Sequence, residues 1–129
     1  MDINKLTLKS QEALSSAQNI AVTMGHTEVD GEHLLLALLR QEDGLVPRLL
    51  SKMGVPAERL AEDTEKELLK RSRVSGPGLE PGKIPISMRL SRLLISAEET
   101  AARMKDEYVS VEHLFARLLD EGNSTSAGR

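Results

Sequence analysis

The sequence predicts an all-α domain made of two pseudo-symmetric repeats of one helical-bundle motif, with the second repeat truncated. Two observations predict this fold: an internal duplication at an offset of 80 residues, and apolar residues spaced three or four apart. Composition agrees, because 40% of the 129 residues are hydrophobic but only 2% are aromatic. Leucine, alanine and methionine favour helices, in which they lose little rotamer freedom.

The duplication relates residues 6–39 to residues 86–119. Chance would supply only about two or three identities in such a window, and the observed ones also follow one helix face. The identical pairs are Leu14 and Leu94, Ser16 and Ser96, Ala17 and Ala97, Ala21 and Ala101, Met24 and Met104, Val29 and Val109, Glu32 and Glu112, His33 and His113, Leu34 and Leu114, Leu38 and Leu118, and Leu39 and Leu119.

Each repeat is predicted to begin with a capped helix. Thr7 and Ser87 are suitable N-cap residues, and an apolar stripe follows each of them. The first helix is expected to end near Gly25, which readily adopts the left-handed conformation that closes a helix. Its matched residue is Lys105, so we expect the second repeat to turn differently, through Asp106.

A second helix start follows in each repeat. Asp30 and Ser110 are the N-cap residues, a glutamate two positions later suits the helix dipole, and Val29 or Val109 is placed to staple the start. Repeat one then continues with two further predicted helices, roughly residues 45–53 and 57–71, which are separated by Gly54 and Pro56.

These signals divide the chain into repeat one at residues 6–72, a Gly- and Pro-rich linker at 73–86, a partial repeat two at 87–122 and a polar tail at 123–129. Repeat two lacks counterparts of the third and fourth helices of repeat one. We therefore expect Phe115, Leu118 and Leu119 to be partly uncovered, as in a piece of a longer chain.

Composition disfavours several classes of protein. The 17 basic and 20 acidic residues are mixed along the chain, so no concentrated basic surface for nucleic acid is evident. Cysteine is absent, no signal peptide is visible, and the longest apolar run, residues 34–39, is far short of the ~20 residues needed to span a bilayer. We expect a soluble, cytoplasmic chain without nucleic-acid or membrane partners.

No catalytic or metal motif is found. His33 and His113 stand in the first turn of a helix with no second histidine one turn later, so we interpret them as structural side chains that bind nearby backbone. The glycines at 76, 78 and 82 do not form a phosphate loop, because Ile84 and Pro85 follow Lys83 where the motif needs serine or threonine and a helix start. No nucleophile elbow exists. The sequence therefore predicts a non-catalytic binding domain without a metal or cofactor.

Symmetry suggests where a ligand would bind. If the repeats pack about a pseudo-twofold axis, their matched Glu-His-Leu helix starts are expected to face a common crevice, and crevices between repeats commonly hold ligands. From composition alone, however, Glu32, Asp106 and Glu112 are more often helix caps and dipole partners than site residues.

These residues resemble the double Clp N-terminal domain of Clp AAA+ chaperones. The resemblance rests on the helix starting at Thr7, the two Val-x-x-Glu-His-Leu motifs, the 80-residue duplication and the linker sequence at residues 73–78, which is closer to the ClpB disaggregase branch than to ClpC or ClpA. It implies an eight-helix bundle tethered to a homo-hexameric motor. ATP and magnesium would bind only in the motor domains, which are absent from this sequence.

The resemblance also implies site residues. In the ClpB branch, a threonine opening the first helix and two acidic residues of the second repeat engage substrate, which corresponds to Thr7, Asp106 and Glu112. In the ClpC branch the glutamates of both motifs recognise phosphoarginine, which corresponds to an alternative acidic site at Glu32 and Glu112. The leading hypothesis is a domain that captures unfolded or aggregated polypeptide; the alternative is a domain that binds adaptor proteins or phosphoarginine.

Overall fold

The computed structural model describes residues 3–73 and 83–120, and this part of the chain contains six α-helices and a short 3-10 turn at Ile3–Lys5. The all-α prediction is confirmed. The predicted linker residues 74–82 and the polar tail at 123–129 lie outside the described residues. The helices are α1 (Leu8–Thr23), α2 (Gly31–Leu39), α3 (Leu45–Lys52), α4 (Ala57–Leu69), α5 (Met88–Arg103) and α6 (Val111–Asp120).

Helices α1 and α5 begin in the same way, as the sequence predicts. The Thr7 hydroxyl accepts a hydrogen bond from the Ser10 N–H at 3.2 Å. The Ser87 hydroxyl accepts one from the Leu90 N–H at 3.0 Å. Each cap thus satisfies one of the backbone donors that a helix start leaves unpaired.

The turns after α1 and α5 are also alike, and the expectation of a different second turn through Asp106 is wrong. Gly25 has a φ of 73° and its counterpart Lys105 has a φ of 61°. In both turns the left-handed residue donates to the carbonyl three positions back, and the next residue donates to the carbonyl five positions back. Lys105 accepts the left-handed conformation at a cost of about 1 kcal/mol, because the packing of α5 against α6 requires the same reversal.

Two isolated β-bridges join the repeats and define a pseudo-twofold axis. Leu6 pairs with Val109, and Ile86 pairs with Val29. The offset of 80 converts one bridge into the other, since Leu6 matches Ile86 and Val29 matches Val109. The flanking backbone hydrogen bonds are 2.7 to 3.1 Å long. The last residues of the predicted linker are therefore part of the packed structure.

Helix α2 lies at the centre of the molecule, and all nine of its residues are buried. It packs against α1, α3, α4, α5 and α6. Since every side of α2 is covered, its near-continuous leucine run forms the core instead of a one-sided stripe.

Repeat one also helps to cover the apolar face of α6, which corrects the expectation that Phe115 and Leu118 would be partly uncovered. Phe115 and Leu118 are buried, because α6 packs against α2 and α3 as well as α5. Leu119 alone of the three is exposed, at 43%. No helix in the described part of the chain is long and apolar enough to cross a membrane.

Candidate functional site

An apolar groove lies on the pseudo-twofold axis between α1 and α5; we call it the axial groove. Its volume is about 480 Å³. Three matched pairs line it, which places it on the axis: Leu6 with Ile86, Leu14 with Leu94, and Gln11 with Ser91. The remaining lining residues are Ile3, Ser15, Gln18, Asn19 and Val29.

The lining of the axial groove carries no charged side chain. Its apolar members are aliphatic, and its polar members are hydroxyls and carboxamides, of which Gln18 donates a hydrogen bond to the Ile84 carbonyl at 2.9 Å. Such a groove suits an uncharged ligand that has apolar side chains and neutral hydrogen-bonding groups.

Sequence reasoning placed the crevice incorrectly, because the Glu-His-Leu helix starts do not line the axial groove. It also missed the polar residues that do. The signal that could have indicated the groove is the spacing of Gln11, Ser15 and Gln18, which places these three polar residues on one face of α1. Polar stripes usually mark a solvated helix face, so that spacing alone did not indicate a groove.

The first Glu-His-Leu start is a closed hydrogen-bonded chain. The Asp30 N–H donates to His33 Nδ1 at 2.8 Å, so in the neutral ring the proton sits on Nε2. His33 Nε2 lies 2.7 Å from His26 Nδ1 and donates to it. His26 in turn bonds the Leu68 carbonyl at the end of α4. Both imidazoles are buried, and the structural interpretation of His33 is confirmed.

Burial and neighbouring cations keep both of these histidines neutral. Burial is the main cause that lowers the pKa of His33 to about 4, with His26 and Arg71 acting in the same direction. Burial also lowers the pKa of His26, again with help from Arg71 and from Arg73. Protonation of either imidazole is unfavourable, because the nitrogen that gains the proton is already a hydrogen-bond acceptor. The new N–H would then face the N–H of its partner.

Glu32 lies in a cluster of two carboxylates and two guanidinium groups, which we call the ion-pair cluster. Its carboxylate accepts hydrogen bonds from Arg71 and from Arg89, each at 2.7 Å. Asp30 accepts from the same two arginines at 3.2 and 2.8 Å. The cluster ties the start of α2 to the end of α4 and to the first turn of α5. Glu32 is only 5% exposed.

Asp30 has further donors within the ion-pair cluster. The Gly31 N–H and the Ser87 hydroxyl each reach its Oδ1 at 2.8 Å. Burial acts to raise the pKa of Asp30, but these two hydrogen bonds and Arg89 together lower it below its usual value. The carboxylate is therefore held ionised.

The second Glu-His-Leu helix start is more exposed to solvent than the first. The Ser110 N–H donates to His113 Nδ1 at 2.9 Å, and His113 Nε2 lies 3.0 Å from Asp106 Oδ2. Asp106 is the counterpart of His26, so a carboxylate replaces the second imidazole. Glu112, the counterpart of Glu32, is exposed.

Asp106 and Glu112 line a common cavity of about 620 Å³, which we call the acidic pocket. Its rim includes the exposed side chains of Met104 and Tyr108. In repeat one, the end of α4 closes the matching start of α2 through Leu68 and Arg71. The structure thus brings Asp106 and Glu112 together, and it places Glu32 elsewhere, in the ion-pair cluster.

Thr7 lines neither cavity but is adjacent to both through its backbone. It follows Leu6 of the axial groove, and its N–H donates to the Val109 carbonyl at 3.1 Å. Val109 stands between Tyr108 and Ser110, which line the acidic pocket. Since its hydroxyl also caps α1, Thr7 has a structural role in addition to any contact with a ligand.

No three of the histidine, aspartate and glutamate side chains in residues 3–73 and 83–120 come together in a way that could hold a metal ion. What the arrangement offers is a neutral apolar groove on the axis and an acidic pocket on the repeat-two side of Thr7. Both concavities lie on the duplicated helical fold.

The chain belongs to the family of the Clp repeat N-terminal domain, whose family model matches residues 5–128. Within that family it groups with the N-terminal segments of ClpB chaperones. It is 60% identical over 129 residues to the chaperone protein ClpB of Nitratidesulfovibrio vulgaris and 44% identical over 121 residues to that of Bacillus cereus. These matches cover 100% and 94% of this chain but only 15% and 14% of the relatives.

Solved structures agree on the fold. The Hsp104 N-terminal domain from Candida albicans superposes with a TM-score of 0.76 at 18% identity, covering 92% of this chain and 76% of that one. The family therefore identifies this chain as an accessory domain of the ClpB type, as the resemblance in sequence predicted.

Proposed function

We propose that this domain docks unfolded or aggregated polypeptide and passes it to the AAA+ motor of a ClpB-type disaggregase. The observation that carries the proposal is the axial groove, whose aliphatic side chains and uncharged polar groups match the apolar segments that a non-native chain exposes. Native proteins bury such segments, so the groove would discriminate by folding state and not by sequence.

The size of the groove implies weak binding. Its volume of about 480 Å³ holds only a few apolar side chains, each of which gains about 1.5–3 kcal/mol on full burial. Most of that gain offsets the entropy lost on association. Weak, exchangeable binding suits a domain that must release its substrate to a motor.

Thr7, Asp106 and Glu112 are the further substrate-binding residues of this proposal. Asp106 and Glu112 supply negative charge in the acidic pocket, where a basic side chain flanking the apolar segment would bind. Thr7 is adjacent to both that pocket and the groove. A substrate segment with an apolar centre and a basic flank would therefore contact both cavities.

The rest of the proposal concerns the whole protein. The domain itself is non-catalytic and needs no cofactor, whereas ATP and magnesium bind in the motor domains of a homo-hexameric parent chain. That parent acts in the cytoplasm, without nucleic-acid or membrane partners. The support for this part is the family and the ClpB relatives.

The alternative is a domain that binds adaptor proteins or phosphoarginine through Glu32 and Glu112. Carboxylates that hold guanidinium groups are present, but Glu32 already binds those of Arg71 and Arg89. Glu112 is the member of the pair that remains exposed. A phosphoarginine peptide that shifted the NMR signal of Glu112 and left the axial groove unchanged would favour this alternative.

Titration of the chain with an unfolded test protein, followed by NMR, tests the proposal. We expect amide shifts at the axial groove and at Thr7, Asp106 and Glu112. The variants Ile3→Ser and Ile86→Ser remove exposed apolar rim groups and should weaken binding at least fivefold. Leu69→Ser is the matched control, because Leu69 is also an aliphatic residue and is at least as exposed, but it lies on α4 and does not line the groove.

Two results would overturn the docking function. One is equal affinity of the rim variants and the Leu69→Ser control. The other is a set of shifts that avoids both the groove and the acidic pocket. If the Asp106→Asn and Glu112→Gln variants bound a substrate with a basic flank as tightly as the unmodified chain does, these acidic residues would not belong to the site. The assignment of the groove would be unaffected.

A further inference from the structure

The backbone of Ile86 presents an open hydrogen-bonding edge at the rim of the axial groove. In the parallel bridge to Val29, the groups that bond Val29 are the Pro85 carbonyl and the Ser87 N–H. The N–H and carbonyl of Ile86 itself therefore point to the opposite side, as alternate residues of a strand do. Neither group has a hydrogen-bond partner among the residues that the structure describes.

The matched residue of repeat one, Leu6, has both of its backbone groups hydrogen-bonded within the chain. The Leu6 N–H donates to the Ile3 carbonyl at 3.1 Å, and the Leu6 carbonyl accepts from Gln11 Nε2 at 3.0 Å. The counterpart of Gln11 is Ser91, whose side chain is too short to make the same bond. The two repeats thus share one backbone geometry, but repeat two leaves its edge unpaired.

The surroundings of this edge define what would pair with it. Ile86 is 39% exposed and lines the axial groove, so a ligand in the groove lies beside its N–H and carbonyl. Those two groups need an acceptor and a donor on one edge of an extended polypeptide. A single residue supplies both in an antiparallel strand, and the two residues that flank the paired one supply them in a parallel strand. A helical ligand offers neither, because its backbone groups bond one another.

Charge restricts the ligand further. The groove lining is uncharged, and burying an unpaired charge there would be unfavourable, so a neutral segment complements it. The chemistry that fits is an extended, uncharged segment with an apolar side chain at every second residue.

We propose that the axial groove binds its substrate as an added β-strand, with the N–H and carbonyl of Ile86 bonding the backbone of an extended segment while its apolar side chains enter the groove. This inference rests on the proposed function, because it specifies the conformation in which the groove takes a non-native chain. Backbone pairing also explains how one groove can accept many sequences, since the paired groups are common to all of them.

An N-methylation scan tests the pairing from the ligand side. The probe is a capped heptapeptide with an alternating leucine and serine sequence, prepared unmodified and with a single N-methyl group at each internal position. Binding to the 129-residue chain is measured by NMR titration. We expect one position to weaken binding about fivefold to tenfold, the value of one hydrogen bond, with its neighbours nearly unaffected.

The outcomes separate the two proposals. If the unmodified peptide binds in the groove and no methylated position weakens it, strand addition is wrong and the docking function stands. If neither the peptide nor an unfolded protein binds the groove, the docking function itself fails. A single sensitive position supports both.

Hydrogen exchange and a variant pair test the protein side. Saturating peptide should slow exchange of the Ile86 amide at least tenfold, while the Ser87 amide, already bonded to Val29, is the internal control. Ser91→Gln should supply the internal cap that Gln11 gives Leu6 and weaken peptide binding several-fold. Ser91→Met fills similar space without a donor, so equal affinities of the two variants, or unchanged Ile86 exchange, would overturn the proposal.

Discussion

The two Glu-His-Leu helix starts use one motif in opposite ways. In repeat one, Glu32 is buried between two arginines, and the outer nitrogen of His33 bonds a second histidine. In repeat two, Glu112 is exposed, and the outer nitrogen of His113 bonds the Asp106 carboxylate. The shared part is the capping histidine, whose Nδ1 accepts the N-cap N–H in both repeats.

The difference comes from what packs over each start. The end of α4 reaches the first start through Leu68 and Arg71, and Arg89 reaches it from repeat two. The described part of repeat two has no matching helix over its own start. A duplicated motif can therefore serve as a structural joint in one copy and as an accessible surface in the other, without a change in its own three residues.

The largest expected effect concerns how firmly repeat one covers α6. Leu118→Ala should lower the free energy of unfolding by about 3 kcal/mol, because it removes a fully buried leucine and leaves a cavity between the repeats. Leu119→Ala, one residue later and exposed, should cost less than about 1 kcal/mol. Urea denaturation measures both, and similar costs would mean that α6 is not enclosed.

Glu32→Gln tests the structural role of the first start directly. We expect a loss of about 2 kcal/mol, less than for a fully buried ion pair, because Arg71 and Arg89 are partly exposed and can turn to water. Glu112→Gln is the matched control and should cost less than about 0.5 kcal/mol. If the two substitutions had equal effects on unfolding, the contrast between the helix starts would be lost.

The histidine pair predicts a pH dependence specific to repeat one. Folding lowers the pKa of His33 from 6.5 to about 4 and also lowers that of His26. The unfolded chain thus binds more protons between those values, so stability is complete above pH 6.5 and falls as the pH drops toward 4. For His33 alone, the loss between pH 6.5 and 5 is about 1.5 kcal/mol.

His26→Asp sharpens this prediction, because it gives repeat one the partner that Asp106 provides in repeat two. The charged groups facing the pair are Arg71, Arg73 and Asp30. A carboxylate beside His33 would favour its protonated form, so the decline in the free energy of unfolding between pH 6.5 and 5 should become shallower. The reverse substitution, Asp106→His, is the control. If the free energy of unfolding of His26→Asp fell with pH as steeply as that of the unmodified chain, the decline could not be assigned to the histidine pair.

How far the sequence predicts this structure depends on the range of the interaction. Helix caps at Thr7 and Ser87 and the helical periodicity are local, and the duplication fixes which residues are equivalent. The duplication does not determine which helix faces of the two repeats meet at the pseudo-twofold axis, because both helices of each repeat carry apolar residues at the same spacing. The axial groove therefore depends on the bridges between Leu6 and Val109 and between Val29 and Ile86, which no local pattern indicates.

The candidate site shows the same division. Sequence resemblance indicated Thr7, Asp106, Glu112 and Glu32, but their environments follow from distant residues. Arg89 lies 57 residues from Glu32 in the chain, and its role at the ion-pair cluster arises only when the two repeats pack. The unpaired edge at Ile86 likewise follows from the difference between Gln11 and Ser91, which acquires meaning only from the bridge geometry.

The smallest expected effect returns to the turn after α5. Lys105→Gly should raise the free energy of unfolding by about 0.5–1 kcal/mol, because glycine adopts the left-handed conformation without the Cβ clash, although it also increases the entropy of the unfolded chain. Gly25→Lys installs the repeat-two residue in repeat one and should lower stability by a similar amount. Thermal denaturation of both variants at one pH measures the pair. Opposite signs would show that one backbone turn is imposed on both copies by helix packing, whereas destabilisation by Lys105→Gly would mean that the lysine side chain itself stabilises the second turn.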